Sequence, residues 1–214
     1  MSKSETVLPI LSLKLKILVT FVVGLLVSST LWTNKVYYFD DYYRLVIGHG
    51  IVWIGNGRPM TWLINAAIRF SPVLNDISPL PLLLGLAALA AASVIYVDKL
   101  ALPLQGYWAL IPAQFMILNP FITQPMLYAY DSMTIMLALA LGMFASLPSQ
   151  LGFIKEISLI SLILIVMLTV YQVGLNVFVG CVLLMALHRA ITQHKSSDVC
   201  STENRCRHYN LSRL

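Results

Sequence analysis

Charge is scarce in this chain. Of its 214 residues 11% are charged and 58% are hydrophobic, against about 25% charged and about 45–50% apolar in soluble domains. That scarcity excludes a disordered chain and a water-soluble globular enzyme, because too few polar groups remain to cover a surface in water. Cysteine is scarce as well. Cys181, Cys200 and Cys206 form no CxxC, which excludes a disulfide scaffold. Cys200 and Cys206 with His194 and His208 fit no common zinc spacing, so these read as unrelated tail residues, and no metal or other cofactor is expected. No Lys/Arg cluster interleaved with aromatics occurs, which excludes nucleic acid as a partner. Strand-like alternation and internal repeats are absent too.

What is present is long apolar sequence. The mean hydropathy is +0.80. Uncharged stretches run for 18 residues between Lys16 and Lys35, 21 between Asp76 and Asp98, 31 between Lys99 and Asp131, 23 between Asp131 and Lys155, and 32 between Glu156 and Arg189. A membrane helix needs about 20. The first stretch follows Lys14 and Lys16 but lacks a clear small-x-small cleavage site, so it reads as an uncleaved helix. The last stretch is too long for one span and splits at Tyr171–Asn176; a single tilted helix is the alternative. The third, with Pro103, Pro112, Pro120 and Pro125, reads as one helix over 102–118 and a non-helical segment over 119–130.

The expectation is an all-α integral membrane protein. Its bundle holds about six transmembrane helices, 15–33, 78–97, 102–118, 131–147, 154–170 and 173–188, with a long polar loop over 34–77. Backbone polar groups in lipid must pair within their own segment, which favours helices. Residues 1–188 form the membrane domain, and 189–214 read as a polar, disordered cytoplasmic tail. The chain carries 14 Lys+Arg against 9 Asp+Glu. With a cytoplasmic N-terminus, ten of those cations fall inside and four (Lys35, Arg44, Arg58 and Arg69) fall outside. The positive-inside rule then favours both termini in the cytoplasm.

In that orientation the unusual chemistry collects on the outer face. YYFDDYYR (Tyr37–Arg44) sets two carboxylates among four tyrosines. Neighbouring residues point in different directions, so at most one of Asp40 and Asp41 aims at a reaction centre; capping and interfacial anchoring are the plain alternative. WIGNGRP (Trp53–Pro59) is a turn leading into a helix, with Pro59 in its first turn and Asn56 and Arg58 beside it. A guanidinium at a helix N-terminus suits a phosphate, though an Arg there also snorkels to headgroups. NPFITQPMLYAYDSM (Asn119–Met133) carries Tyr128 and ends an apolar run on Asp131, which is either functional or a helix cap. Tyr171 and Gln172 sit at the last turn. Tyr37, Tyr38, Trp53 and Trp62 are candidates to stack on sugar faces or to anchor the loop.

These motifs in this order (FDDYYR, WIGNGRP, NPF with LYAYDSM, then VYQ) resemble the Gtr-type membrane glucosyltransferases of bacteria and their phages, which are related to the GT-C class. The resemblance runs from about residue 37 to 180. It implies an enzyme of the bacterial inner membrane that moves glucose from a polyprenyl-phosphate carrier to O-antigen or another cell-surface glycan on the periplasmic side. It also implies that Asp40 and Asp41 are the catalytic acidic pair. Arg44, Asn56, Arg58, Tyr128, Asp131 and Gln172 become donor-phosphate or substrate-binding residues. Family members are about twice this length, so the chain reads as an N-terminal half. Two rivals stand beside this reading: a lipid-linked sugar translocase, which would hold ionisable groups near the bilayer midplane, and a non-catalytic membrane fragment.

Overall fold

The computed structural model describes residues 11–33, 37–102, 104, 106–149 and 151–211, with side chains over the same stretches except 32, 39 and 194–211. Lys35 and the side chains of His194, Cys200, Cys206 and His208 lie outside this set. The described residues are helical, without strands: α1 Leu13–Thr33, α2 Phe39–Ile47, α3 Ile51–Gly55, α4 Pro59–Arg69, α5 Leu80–Lys99, a 3-10 turn Gly106–Leu110, α6 Ile111–Ile117, α7 Pro120–Met126, α8 Ser132–Ala145, α9 Phe153–Val170 and α10 Gly174–Leu211.

Among the described residues, four helices are long and apolar enough to cross a membrane: Leu13–Leu31, Leu80–Lys99, Phe153–Val170 and Gly174–Gln193. The expected count of about six is therefore not confirmed. Residues 102–118 do not form one span, because Pro112 opens α6 and the chain before it closes only as a 3-10 turn. A proline within a longer helix would remove a hydrogen bond and clash with the preceding turn. The fourth expected span shortens to the 14 residues of α8. Residues 119–130 are not wholly irregular either. Asn119 caps α7 by accepting the Phe121 N–H at 2.9 Å, and Pro120 fills the first helical position, where its missing N–H costs nothing. The long stretch after Glu156 does break, at 171–173. Where composition points to a disordered tail, the α10 backbone stays helical to Leu211; no glycine or proline interrupts it after Gly180.

The core is α5 against α8 and α10. Leu86, Leu89, Ala90, Ala92 and Met136 are fully buried in it. Gly85 lies on Met133 and Met136 near the start of α8, while Ser93 reaches Met143 near its end, so α5 and α8 run parallel. The Tyr96 hydroxyl donates to the Cys181 carbonyl at 2.7 Å, and further on Lys99 and Leu100 border one cavity with Met185 and His188, so α10 runs in the same direction. α1 runs opposite: Lys16 at its start pairs with Asp98 at the end of α5, 2.6 Å apart. Two glycines set the α8–α10 spacing. A Cβ on Gly142 would come 2.5 Å from the Gly174 carbonyl oxygen, and one on Gly174 2.5 Å from that of Ala138. Small residues permit this close approach of backbones in lipid. The same contact sinks the turn between α9 and α10. Gly174 meets the middle of α8, about 9–15 Å below Ser132 at 1.5 Å rise per residue.

α2, α3 and α4 close one end of the bundle as a cap. α4 is inside out for water: Thr61, Asn65 and Arg69, one turn apart, are buried on its inner face, while Leu63 and Phe70 are exposed. Such a helix suits an apolar surround.

Candidate functional site

The cap end brings together the four segments singled out in the sequence. α2 starts after Tyr38, and Asp41 in its first turn accepts the Tyr38 N–H at 3.3 Å. The same carboxylate accepts the N–H of Ala129 at 2.8 Å and of Tyr130 at 3.1 Å. Asp41 is fully buried and latches the loop before α8 onto α2. Burial pushes its carboxyl above the ordinary value, and the three backbone donors and then Arg44 pull it back. Asp40 faces outward and is exposed. The doublet is thus divided as the geometry of adjacent residues requires, with Asp41 inward and Asp40 toward the open side.

Arg44, one turn after Asp41, is buried. Its Nη1 lies 2.5 Å from Asp131 Oδ2 and 3.9 Å from Asp41 Oδ1, and its guanidinium stands 5.1 Å from the Trp53 ring centroid. Asp131 occupies the N-cap position of α8 but makes no side-chain cap bond; its carboxylate turns to Arg44 instead. The capping alternative for Asp131 therefore does not describe its side chain. Trp53 is buried against Leu74 and Tyr130, so its ring is packing and not a surface for a sugar.

Arg58 has no carboxylate partner among the described ion pairs. It precedes Pro59 at the start of α4, half-buried, with its guanidinium 3.8 Å from the Tyr171 ring centroid and Nε donating to Gln172 Oε1 at 3.4 Å. Thr61, one turn on, donates to the Val170 carbonyl at 2.6 Å and seats α4 on the sunken turn. Asn56 is exposed just before, after α3. Tyr128 is half-buried, its ring edge-on to Tyr38 with centroids 4.9 Å apart.

Sequence reasoning missed two parts of this end. The first is the buried ladder of α4: Asn65 donates to the Thr61 carbonyl at 3.0 Å, and Arg69 bonds the Asn65 side chain and the Asn75 carbonyl. The polar spacing Thr61, Asn65, Arg69 is its signal. The second is Asp76, which accepts the Tyr37 hydroxyl at 2.7 Å and the Ser78 N–H at 2.8 Å. Among the described residues no group of three or more His, Cys, Asp or Glu is placed to hold a metal.

Chemically the end offers exposed carboxylates at Asp40 and Asp76, the half-buried Arg58 guanidinium at a helix N-terminus, and tyrosines near them, on a frame of buried ion pairs. A family model described as "Glucosyl transferase GtrII" matches residues 29–209. The chain is 30% identical over 187 residues to an "Uncharacterized 55.3 kDa protein in gtrB 5'region" of Salmonella phage P22, a match covering 86% of this chain and 38% of that protein. The chain thus spans less than half the length of this relative. No solved structure matches.

Proposed function

The chain belongs to the GtrII glucosyltransferase family, and from that membership we propose that it transfers glucose from a polyprenyl-phosphate carrier to a cell-surface glycan such as O-antigen. In this reading the cap faces the periplasm and both termini face the cytoplasm of the bacterial inner membrane. The excess of cations toward the opposite end and tail supports that orientation.

An acceptor hydroxyl attacks the anomeric carbon, the carbon–oxygen bond to phosphate breaks, and polyprenyl phosphate leaves with the bonding pair. The acceptor proton needs a base, and the leaving phosphate needs positive charge. Asp40 is the base, because it is exposed while Asp41 has both oxygens engaged by backbone donors. Arg58 and the start of α4 receive the phosphate, since Arg44 is held by Asp131. Tyr128, Asn56 and Gln172 border the reacting groups, and Asp41, Arg44 and Asp131 position the loop that carries them.

The observation that carries this reading is the division of the doublet. Its test is transfer of glucose from polyprenyl-phosphoglucose to lipopolysaccharide in vesicles. Asp40→Asn is expected to lower the rate by about 10²–10⁴ while the protein stays folded. Wild-type rates for Asp40→Asn would remove the general-base assignment.

A further inference from the structure

A cavity lies beside the Asp40 loop, between the end of α1, the start of α5 and residues 126–132. The cavity itself is small, about 40 Å³, and opens outward; about 430 Å³ counts the space at its mouth as well. Its lining is mixed. Leu31, Pro79 and Leu82, which belong to or adjoin two membrane-crossing helices, give apolar surface together with Met126 and Leu127. Tyr37, Asp76, Ser78, Tyr128 and Ser132 give the polar groups. The Ser132 hydroxyl is buried and has no hydrogen-bond partner among the described residues, which in a native structure calls for an explanation.

The carboxylate at the mouth is held in place. Asp76 takes a hydrogen bond on each oxygen, from Tyr37 and from Ser78, so it is oriented before any ligand arrives. The bond to Asp76 and then burial raise the Tyr37 phenol to about 12, so Tyr37 remains protonated and keeps donating at neutral pH. A fixed anion at the mouth repels phosphate and favours hydroxyl donors. Apolar surface mixed with a few placed polar groups suits a ring with a C–H face and a hydroxyl edge. Tyr128 joins this cavity to the open groups. Burial raises its phenol, and the charge of Asp40 and then Tyr171 add to the shift; Tyr171 is the ring beneath Arg58.

We propose that this cavity is the subsite for the hexopyranosyl group of the lipid-linked donor, with Asp76 accepting a hydrogen bond from a ring hydroxyl. The assignment rests on the glycosyl-transfer reading above and adds a residue that selects the sugar. Part of the apolar surface belongs to or adjoins the membrane-crossing helices, so a sugar carried on a lipid reaches it from the bilayer side.

The test compares two probes on the full chain in nanodiscs, polyprenyl-phosphoglucose and bare polyprenyl phosphate. Asp76→Asn is expected to weaken the glucosylated probe roughly tenfold and leave the bare phosphate unchanged. It is also expected to narrow the preference for glucose over galactose on the same carrier. Ser132→Ala, a smaller change, is expected to weaken the glucosylated probe roughly fivefold and to leave the folded yield intact, since it removes an unpaired hydroxyl. Equal losses for both probes, or no loss for either variant, overturn the assignment. Binding of neither probe to the wild-type chain overturns it together with the function proposed above. Wild-type transfer by Asp40→Asn overturns only the base, because the probe comparison reads binding and not turnover.

Discussion

The α5–α8–α10 core and the inner face of the cap are buried to the same degree by opposite means. Leu86, Leu89 and Ala92 are at 0% exposure, and so is Asp41, with Arg44 at 5% and Asp131 at 1%. In the core most side chains are apolar, so shape decides nearly everywhere, with Tyr96 and Ser93 as partnered exceptions, and glycine sets the spacing. In the cap the buried groups Asp41, Arg44, Asp131 and Arg69 have been taken out of water, and each leans on another polar group. A core of this kind tolerates exchange among apolar residues of similar volume. The cap tolerates little, because removing one partner strands the other.

The largest expected effect breaks the cap. Arg44→Ala leaves Asp131 buried and unpaired, at a cost of about 3–5 kcal/mol, measured by unfolding in mixed micelles. Replacing Arg44 and Asp131 together by Leu is expected to recover much of the loss. A double variant as unstable as the single one would show that the pair is not what holds this end. The next effect breaks the core. Gly142→Val forces a side chain onto the Gly174 carbonyl and is expected to cost about 1–3 kcal/mol. Gly55→Ala, which meets no neighbour within 4 Å, is its control and should be nearly silent.

A comparable loss, about 1–3 kcal/mol, is expected for Asp41→Asn, which disturbs three backbone donors. Asp40→Asn should leave stability unchanged, so the two neighbours separate fold from chemistry in one pair of melts. The smallest effect sharpens the cap's rim. The Tyr37 phenol is raised to about 12, above an ordinary value near 10. The protonated form is therefore favoured in the fold, and this stabilisation is present below pH about 10 and lost as pH rises through about 12. Difference absorbance against Asp76→Asn should show one tyrosine ionising earlier in the variant.

Much of the core was legible because lipid leaves few choices: uncharged runs of span length become helices. The break at Tyr171–Asn176 was legible from its polar residues. The count was not, since Pro112 and Pro120 act by position. Each begins a short helix where composition suggested one long span or none. In the cap, the segments that meet could be named in advance, but which aspartate turns inward could not. That depends on where residues 129–130 present their N–H groups, a contact nearly ninety positions away along the chain. Asp76 stayed hidden for a similar reason: in sequence it only marks the end of an apolar run, and its meaning comes from Tyr37.

The turn at 171–173 bears on how reactants of unlike solubility meet. It lies well beneath the level at which α8 begins, and Arg58 rests on it. Under the proposed reading, a carrier phosphate reaching Arg58 need not be hauled up into water. Its hydrocarbon tail keeps its place in the leaflet, sparing about 0.8 kcal/mol for every methylene that would otherwise be wetted. In that reading it is the hydrophilic glycan that makes the descent, and the two substrates meet at the lipid's depth.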